Sequence, residues 1–175
     1  MKLSISMWSV VSAVRQGRID LSGFIEFAAR QQENGARGVE LLDYFWTDRG
    51  AEMGKVKQQI ADAGLELAVY SIGNDFFQPE RSVWEKQLAD FKTGIEVAAR
   101  LEVRTLRVFS GNAKPGYSFD DGFAWIVDGL AAGAHYAETH DVTLALENHG
   151  LMAGRSSQVR RVIEAVGSPA LRANI

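Results

Sequence analysis

Short apolar runs rich in β-branched residues alternate with longer amphipathic segments along the whole chain. The runs predict strands near 2–8, 37–42, 65–71, 104–110, 142–147 and 171–175, and the segments between them predict five helices, near 20–34, 50–63, 80–100, 118–140 and 156–166. Ser82-x-x-Glu85 and Ser118-x-x-Asp121 are capping-box patterns, in which two side chains satisfy the orphan amides of a first helical turn. Gly35 and Gly64 follow helical patterns and suit the left-handed position past a helix end. Pro79, Pro115 and Pro169 fall in predicted loops.

Strict strand–helix alternation means repeated βαβ units and a parallel sheet. An open nucleotide-binding sheet usually carries a glycine-rich phosphate loop after its first strand. Here that position reads Met7-Trp8-Ser9-Val10-Val11, without glycine. The strand faces point the same way. Val142, Leu144 and Leu146 alternate with Thr143, Ala145 and Glu147; Leu106 and Val108 alternate with Thr105, Arg107 and Phe109; Val39 and Leu41 alternate with Gly38, Glu40 and Leu42. One face suits packing on helices, whereas charges on the other need a polar cavity, which the catalytic end of a barrel provides. The expected fold is therefore α/β, an incomplete TIM (β/α)8-type barrel of about six strands and five helices, one domain over 1–175. Its strands should pair in sequential order, with Glu40, Arg107 and Glu147 on the inner face.

The chain is 46% hydrophobic and 23% charged, a balance that argues for a packed core rather than disorder. A net charge of −3 and the lack of any Lys/Arg run argue against a nucleic-acid partner. With no cysteine, disulfides and thiolate metal sites are excluded. Serines 4, 6, 9 and 12 interrupt the apolar start, which argues against a secretory signal, and no stretch is apolar enough to span a bilayer, so the expected location is cytoplasmic. An unclosed sheet with an open edge invites homo-oligomeric association.

Glu147 ends an apolar strand and is followed by Asn148 and His149. Residues at the C-terminal ends of barrel strands face the active site. Carboxylate and neutral imidazole are both ligands for Mn²⁺, Mg²⁺, Co²⁺ or Zn²⁺, so Glu147 and His149 are the catalytic candidates, and Glu147 the candidate metal ligand. Glu40 and Arg107 lie on the polar strand face. They either pair with each other to fill the lumen or hold a substrate oxygen. Trp8, Tyr44-Phe45-Trp46 and Phe76-Phe77 collect where active-site loops belong, with Trp8 and Phe76 the candidates to line a sugar ring. Trp84 and Trp125 read as helix packing, and His135 and His140 as surface or C-terminal-turn residues.

These segments together resemble the xylose-isomerase-like barrel superfamily, especially its sugar phosphate isomerase and epimerase branch. The carriers are Gly38-Val39-Glu40-Leu41-Leu42, Leu106-Arg107-Val108-Phe109, Leu146-Glu147-Asn148-His149-Gly150, and Val162 to Pro169 leading into Leu171-Arg172-Ala173-Asn174-Ile175. The resemblance implies a divalent metal held by Glu147, by an Asp immediately past Ile175, and by a later His and Glu, so the chain is expected to stop before closure. It implies an isomerase or epimerase acting on a small sugar or hydroxyketone through an enediolate. A metal-dependent dehydratase on the same barrel, or a non-catalytic fragment, are the alternatives. A xylose isomerase proper and the endonuclease IV type both use early histidines, whereas the first histidine here is His135. In such an anionic metal site, removing the Glu147 carboxylate is expected to leave the empty fold undisturbed.

Overall fold

A computed structural model describes residues 2–149 and 152–174; Gly150 and Ile175 of the motifs above lie outside the described residues. The chain divides into two compact units, Met1–Ser71 and Ile72–Ile175.

The first unit contains β1 (Leu3–Ser6), a short helix α1 (Val11–Arg15), α2 (Leu21–Arg30), β2 (Ala36–Leu42), α3 (Arg49–Asp62) and β3 (Glu66–Ser71). Its strands are parallel, β1 beside β2 and β2 beside β3. Val39 and Leu41 are fully buried, as are Phe24 and Ala28 of α2, so the aliphatic strand face carries the helices. β1 is shorter than predicted because the Ser6 hydroxyl accepts from Trp8 N–H and caps a 3-10 turn, Met7–Val10. That turn replaces the predicted strand end, and α1 just after it is a helix additional to the five predicted. Gly35 and Gly64 adopt φ of 95° and 65°, as their C-terminal positions require.

At the C-terminal ends of β2 and β3, Tyr70 is fully buried and its hydroxyl donates to Asp43, which also takes Arg49 at 2.5 Å. Burial first, then the bond to Asp43, raises the Tyr70 pKa well above the ordinary phenol range. A folded-state pKa raised above the unfolded value gives stability that is complete below pH about 10 and is lost as pH climbs towards the folded value. Ultraviolet titration of phenolate should therefore show one tyrosine resisting ionisation until the alkaline unfolding transition. Its ionisation in the ordinary range in the folded chain would contradict the Tyr70–Asp43 bond.

The second unit contains α4 (Arg81–Arg100), β4 (Thr105–Val108), α5 (Phe123–Glu138), β5 (Thr143–Glu147), α6 (Ser156–Val166) and β6 (Leu171–Asn174). β4, β5 and β6 are again parallel and in chain order. Leu106, Val108, Leu144 and Leu146 are fully buried with Ile126, Leu130 and Val162 of the helices. Repeated strand–helix units with sequential parallel pairing make an incomplete (β/α) barrel, with six strands present among the described residues.

Both predicted capping boxes fall elsewhere. Ser82 lies inside the first turn of α4, where its hydroxyl donates to Glu80, the residue at the cap, and Glu85 pairs with Arg81. Ser118 and Asp121 do exchange reciprocal bonds, but these close a turn ahead of α5, which starts at Phe123. The helix starts later than predicted because residues 118–122 are spent on that turn. An apolar groove of about 450 Å³ runs between α6 and β6, lined by Val159, Ile163, Ala173 and Asn174. Among the described residues no helix is long and apolar enough to cross a membrane.

Candidate active site

Alternation along β5 places Leu144 and Leu146 in the core and leaves Thr143, Ala145 and Glu147 for the opposite face. β4 does the same for Thr105 and Arg107. The parallel register sets Arg107 opposite Ala145, Ala145 opposite Arg172, and Glu147 opposite Asn174. Side chains in register share a face, so Arg107 and Glu147 lie one row apart on the same side. There the Arg107 guanidinium, through Nη1, donates to Glu147 Oε2. The two side chains are only 18% and 23% exposed, open enough to be reached and enclosed enough to feel each other strongly.

The other carboxylate oxygen of Glu147 lies 3.7 Å from His149 Nδ1. The His149 ring packs at 4.9 Å on Phe109, and the Arg107 guanidinium lies 5.3 Å from the same ring. Glu147, His149, Arg107 and Phe109 therefore form one cluster at the C-terminal ends of β4 and β5. The carboxylate is held by a cation, which corrects the expectation of a crowded anionic site: its nearest charge attracts it rather than repels it.

Glu40, in the first unit, accepts from the Ser71 hydroxyl at 2.5 Å and is half-buried. Trp8 is 50% exposed and meets Tyr44, itself 52% exposed, edge to face at 6.3 Å. Arg15 lies 5.6 Å from the Trp8 ring. Phe76 is placed differently from the cleft wall expected of it. Its ring has no exposed surface and packs on Trp84 and Phe91, at 5.9 and 5.1 Å, and against α5 at Gly129. Both rings of the Phe76-Phe77 step turn inward, Phe76 against Gly129 and Phe77 against Gly122, and residue identity alone does not say so. Trp84 packs as read, and its indole donates to Trp125 C=O. His135 is exposed and His140 bonds the last turn of α5.

Asn74, Phe109 and the strand partners Arg172 and Asn174 escaped the sequence reading as site residues. Asn74 stands just past a strand end, a position where an amide often serves the backbone, but nothing local names its partner.

Among the described residues no group of three or more His, Asp or Glu side chains converges as a metal centre would require. Glu147 and His149 supply at most two donors, and one carboxylate oxygen is already engaged by Arg107. The described residues thus do not by themselves make a metal site.

The sequence matches the family described as xylose isomerase-like TIM barrel over residues 28–175. No protein of curated function matches. Solved structures similar to the chain include a D-psicose 3-epimerase studied with D-fructose (TM-score 0.76, 19% identity) and the probable 3-DHS dehydratase AsbF of Bacillus anthracis (TM-score 0.79, 20% identity). They also include the IOLI protein with a bound zinc atom (TM-score 0.78, 14% identity). In each case 99% of this chain is covered and 62% of the other, so the chain spans less than two thirds of these relatives. At such identities the likeness shows a shared fold.

Proposed function

Since the chain belongs to the xylose isomerase-like TIM barrel family, we propose that it carries the proton-transfer part of a sugar or hydroxyketone isomerase or epimerase site. The observation that supports this reading most is the half-buried pair of Glu147 and Arg107 at the strand ends. A carboxylate beside a fixed cation suits proton abstraction next to a carbonyl. Glu147 takes the proton from the carbon between carbonyl and hydroxyl, and the C–H electron pair becomes the C=C bond of an enediolate. The carbonyl oxygen gains negative charge, which the Arg107 guanidinium stabilises. Returning the proton to the neighbouring carbon gives the isomer; returning it to the opposite face gives the epimer. His149 is placed to hand a proton to, or take one from, a substrate oxygen. In the first unit, the exposed Trp8 offers an aromatic surface suited to the apolar face of a sugar, and Glu40 an acceptor for hydroxyls.

The family implies a divalent ion, of which a relative with bound zinc is one instance. Among the described residues such an ion finds Glu147 and at most His149. The 175-residue chain should therefore bind Mn²⁺ or Mg²⁺ weakly, leaving most of the coordination shell to water. Tight stoichiometric binding in a calorimetric titration would contradict this donor set.

A dehydratase is the second reading, favoured by the likeness to the probable dehydratase AsbF. The same enediolate, with a leaving hydroxyl one carbon further on, loses water instead of regaining the proton. A panel of ketoses, hydroxyketones and hydroxylated cyclic ketones, offered to the chain extended to the length of its relatives, separates the two. Isomers or epimers as products support the leading reading, and a conjugated enone absorbing in the ultraviolet supports the second. No turnover on any of them would leave Glu147 and Arg107 as a structural ion pair.

A further inference from the structure

The segment that follows β3 is fastened along the end of β4 and the residues just past it. Ile72 N–H donates to Arg107 C=O at 3.2 Å, and Phe76 N–H donates to Ser110 C=O at 3.2 Å. Between these two backbone bonds a side chain takes over. Asn74 Nδ2 donates to Phe109 C=O at 2.6 Å, and Phe109 N–H donates to Asn74 Oδ1 at 2.8 Å. Asn74 is only 6% exposed, so this amide is a buried polar group with both ends satisfied by one residue's backbone. It stands where a neighbouring strand's peptide would, just past the end of β4 at Val108. Beyond it, Asp75 accepts from Asn112 N–H at 3.1 Å and from Lys114 at 2.8 Å. Gly111, at φ +146°, makes that approach possible: a Cβ there would lie 2.4 Å from the Asp75 carboxylate.

Phe109 is the residue whose ring the Arg107 guanidinium and the His149 imidazole both contact. We propose that Asn74 is a positioning residue, which fixes the Phe109 backbone and, through the Phe109 ring, the placement of Arg107 and His149 around Glu147. Its functional meaning rests on the proton-transfer reading above, but the positioning itself is measurable in the chain without substrate. An amide is required because one group must both donate to C=O and accept from N–H of the same residue. Alanine offers neither. Aspartate keeps the shape but, as a carboxylate, cannot donate and sets its charge against the Phe109 carbonyl.

The test is heteronuclear NMR of the 175-residue chain and of its Asn74→Ala, Asn74→Asp and Phe109→Leu variants at one pH. In Asn74→Ala, hydrogen exchange at the Phe109 amide should speed up about 10- to 100-fold relative to core amides such as Leu106, whereas in Asn74→Asp the carboxylate still accepts from that N–H and it is the Phe109 carbonyl that loses its donor. The ring-proton signals of His149 and the guanidinium signal of Arg107 should move in both variants. Phe109→Leu should move the His149 and Arg107 signals while the amide at position 109 stays protected, because the Asn74 bonds survive. If Asn74→Ala does not fold, the near-isosteric Asn74→Asp and Phe109→Leu decide. Unchanged His149 and Arg107 signals in a folded Asn74 variant would overturn the proposal, and so would unchanged signals in Phe109→Leu. None of these readouts depends on turnover, so failure of the enzymatic reading leaves them intact and is told apart from failure of the positioning.

Discussion

Replacing Glu147 by Gln is expected to lower turnover, in the chain extended to the length of its relatives, by about 10²–10⁴-fold, as loss of a general base does. Gln keeps the shape and one acceptor oxygen for Arg107 but has no lone pair basic enough to take a carbon-bound proton. The substitution also has a cost in stability that the sequence alone did not suggest. Arg107 would keep its charge in a place where its side chain is 18% exposed while losing the Glu147 carboxylate as an anionic partner. Replacing this charge pair by a charge–amide contact should destabilise the fold by about 1–3 kcal/mol, less than for a fully buried pair because water still reaches this one. Denaturant unfolding of the chain and of Glu147→Gln measures it. Equal midpoints would mean that the pair contributes nothing to the folded state, and undiminished turnover would remove Glu147 from the chemistry.

The second large effect is expected in α5, at Gly129. In an exposed helix Gly→Ala stabilises by up to about 1 kcal/mol, because alanine loses less backbone freedom on folding. In α5 the sign should reverse. A Cβ on Gly129 would lie 2.4 Å from the Phe76 ring, and Phe76 is fully buried against Trp84 and Phe91 with no room to withdraw. Overpacking of this kind costs about 1–3 kcal/mol, and the helix-propensity gain offsets only part of it. Thermal unfolding of Gly129→Ala should show a lowered midpoint; a raised one would mean that α5 is not seated on Phe76 as described.

These two residues also show what a sequence can and cannot carry. Glu147 was legible because alternation in Val142–Glu147 fixes its face and its place at a strand end without knowledge of any neighbour. The strands and most helices were legible for the same reason, since periodicity is a property of one segment. Phe76 was not, because whether a ring faces a cleft or a helix depends on a glycine more than fifty residues away. The cation on Glu147 was half legible: Arg107 was assigned to the right face, but only the register of β4 on β5 brings the two together. Asn74 was invisible, since its partner is the backbone of a residue 35 positions on, and backbone partners leave no mark in residue identity. The capping boxes misled because Ser-x-x-Asp chemistry closes a turn as readily as it opens a helix.

The most direct measurement of the proton-transfer reading is deuterium uptake. The extended chain is incubated with a hydroxyketone or ketose in D₂O, and the substrate is followed by proton NMR. The reading predicts that the signal of the carbon-bound proton beside the carbonyl fades at a rate that the Glu147→Gln variant lowers by about 10²-fold or more, with each exchanged molecule carrying one deuteron at that carbon. Exchange at equal rates in both proteins, or product formed with no deuterium in it and no loss of that proton, would contradict the claim that Glu147 moves the proton.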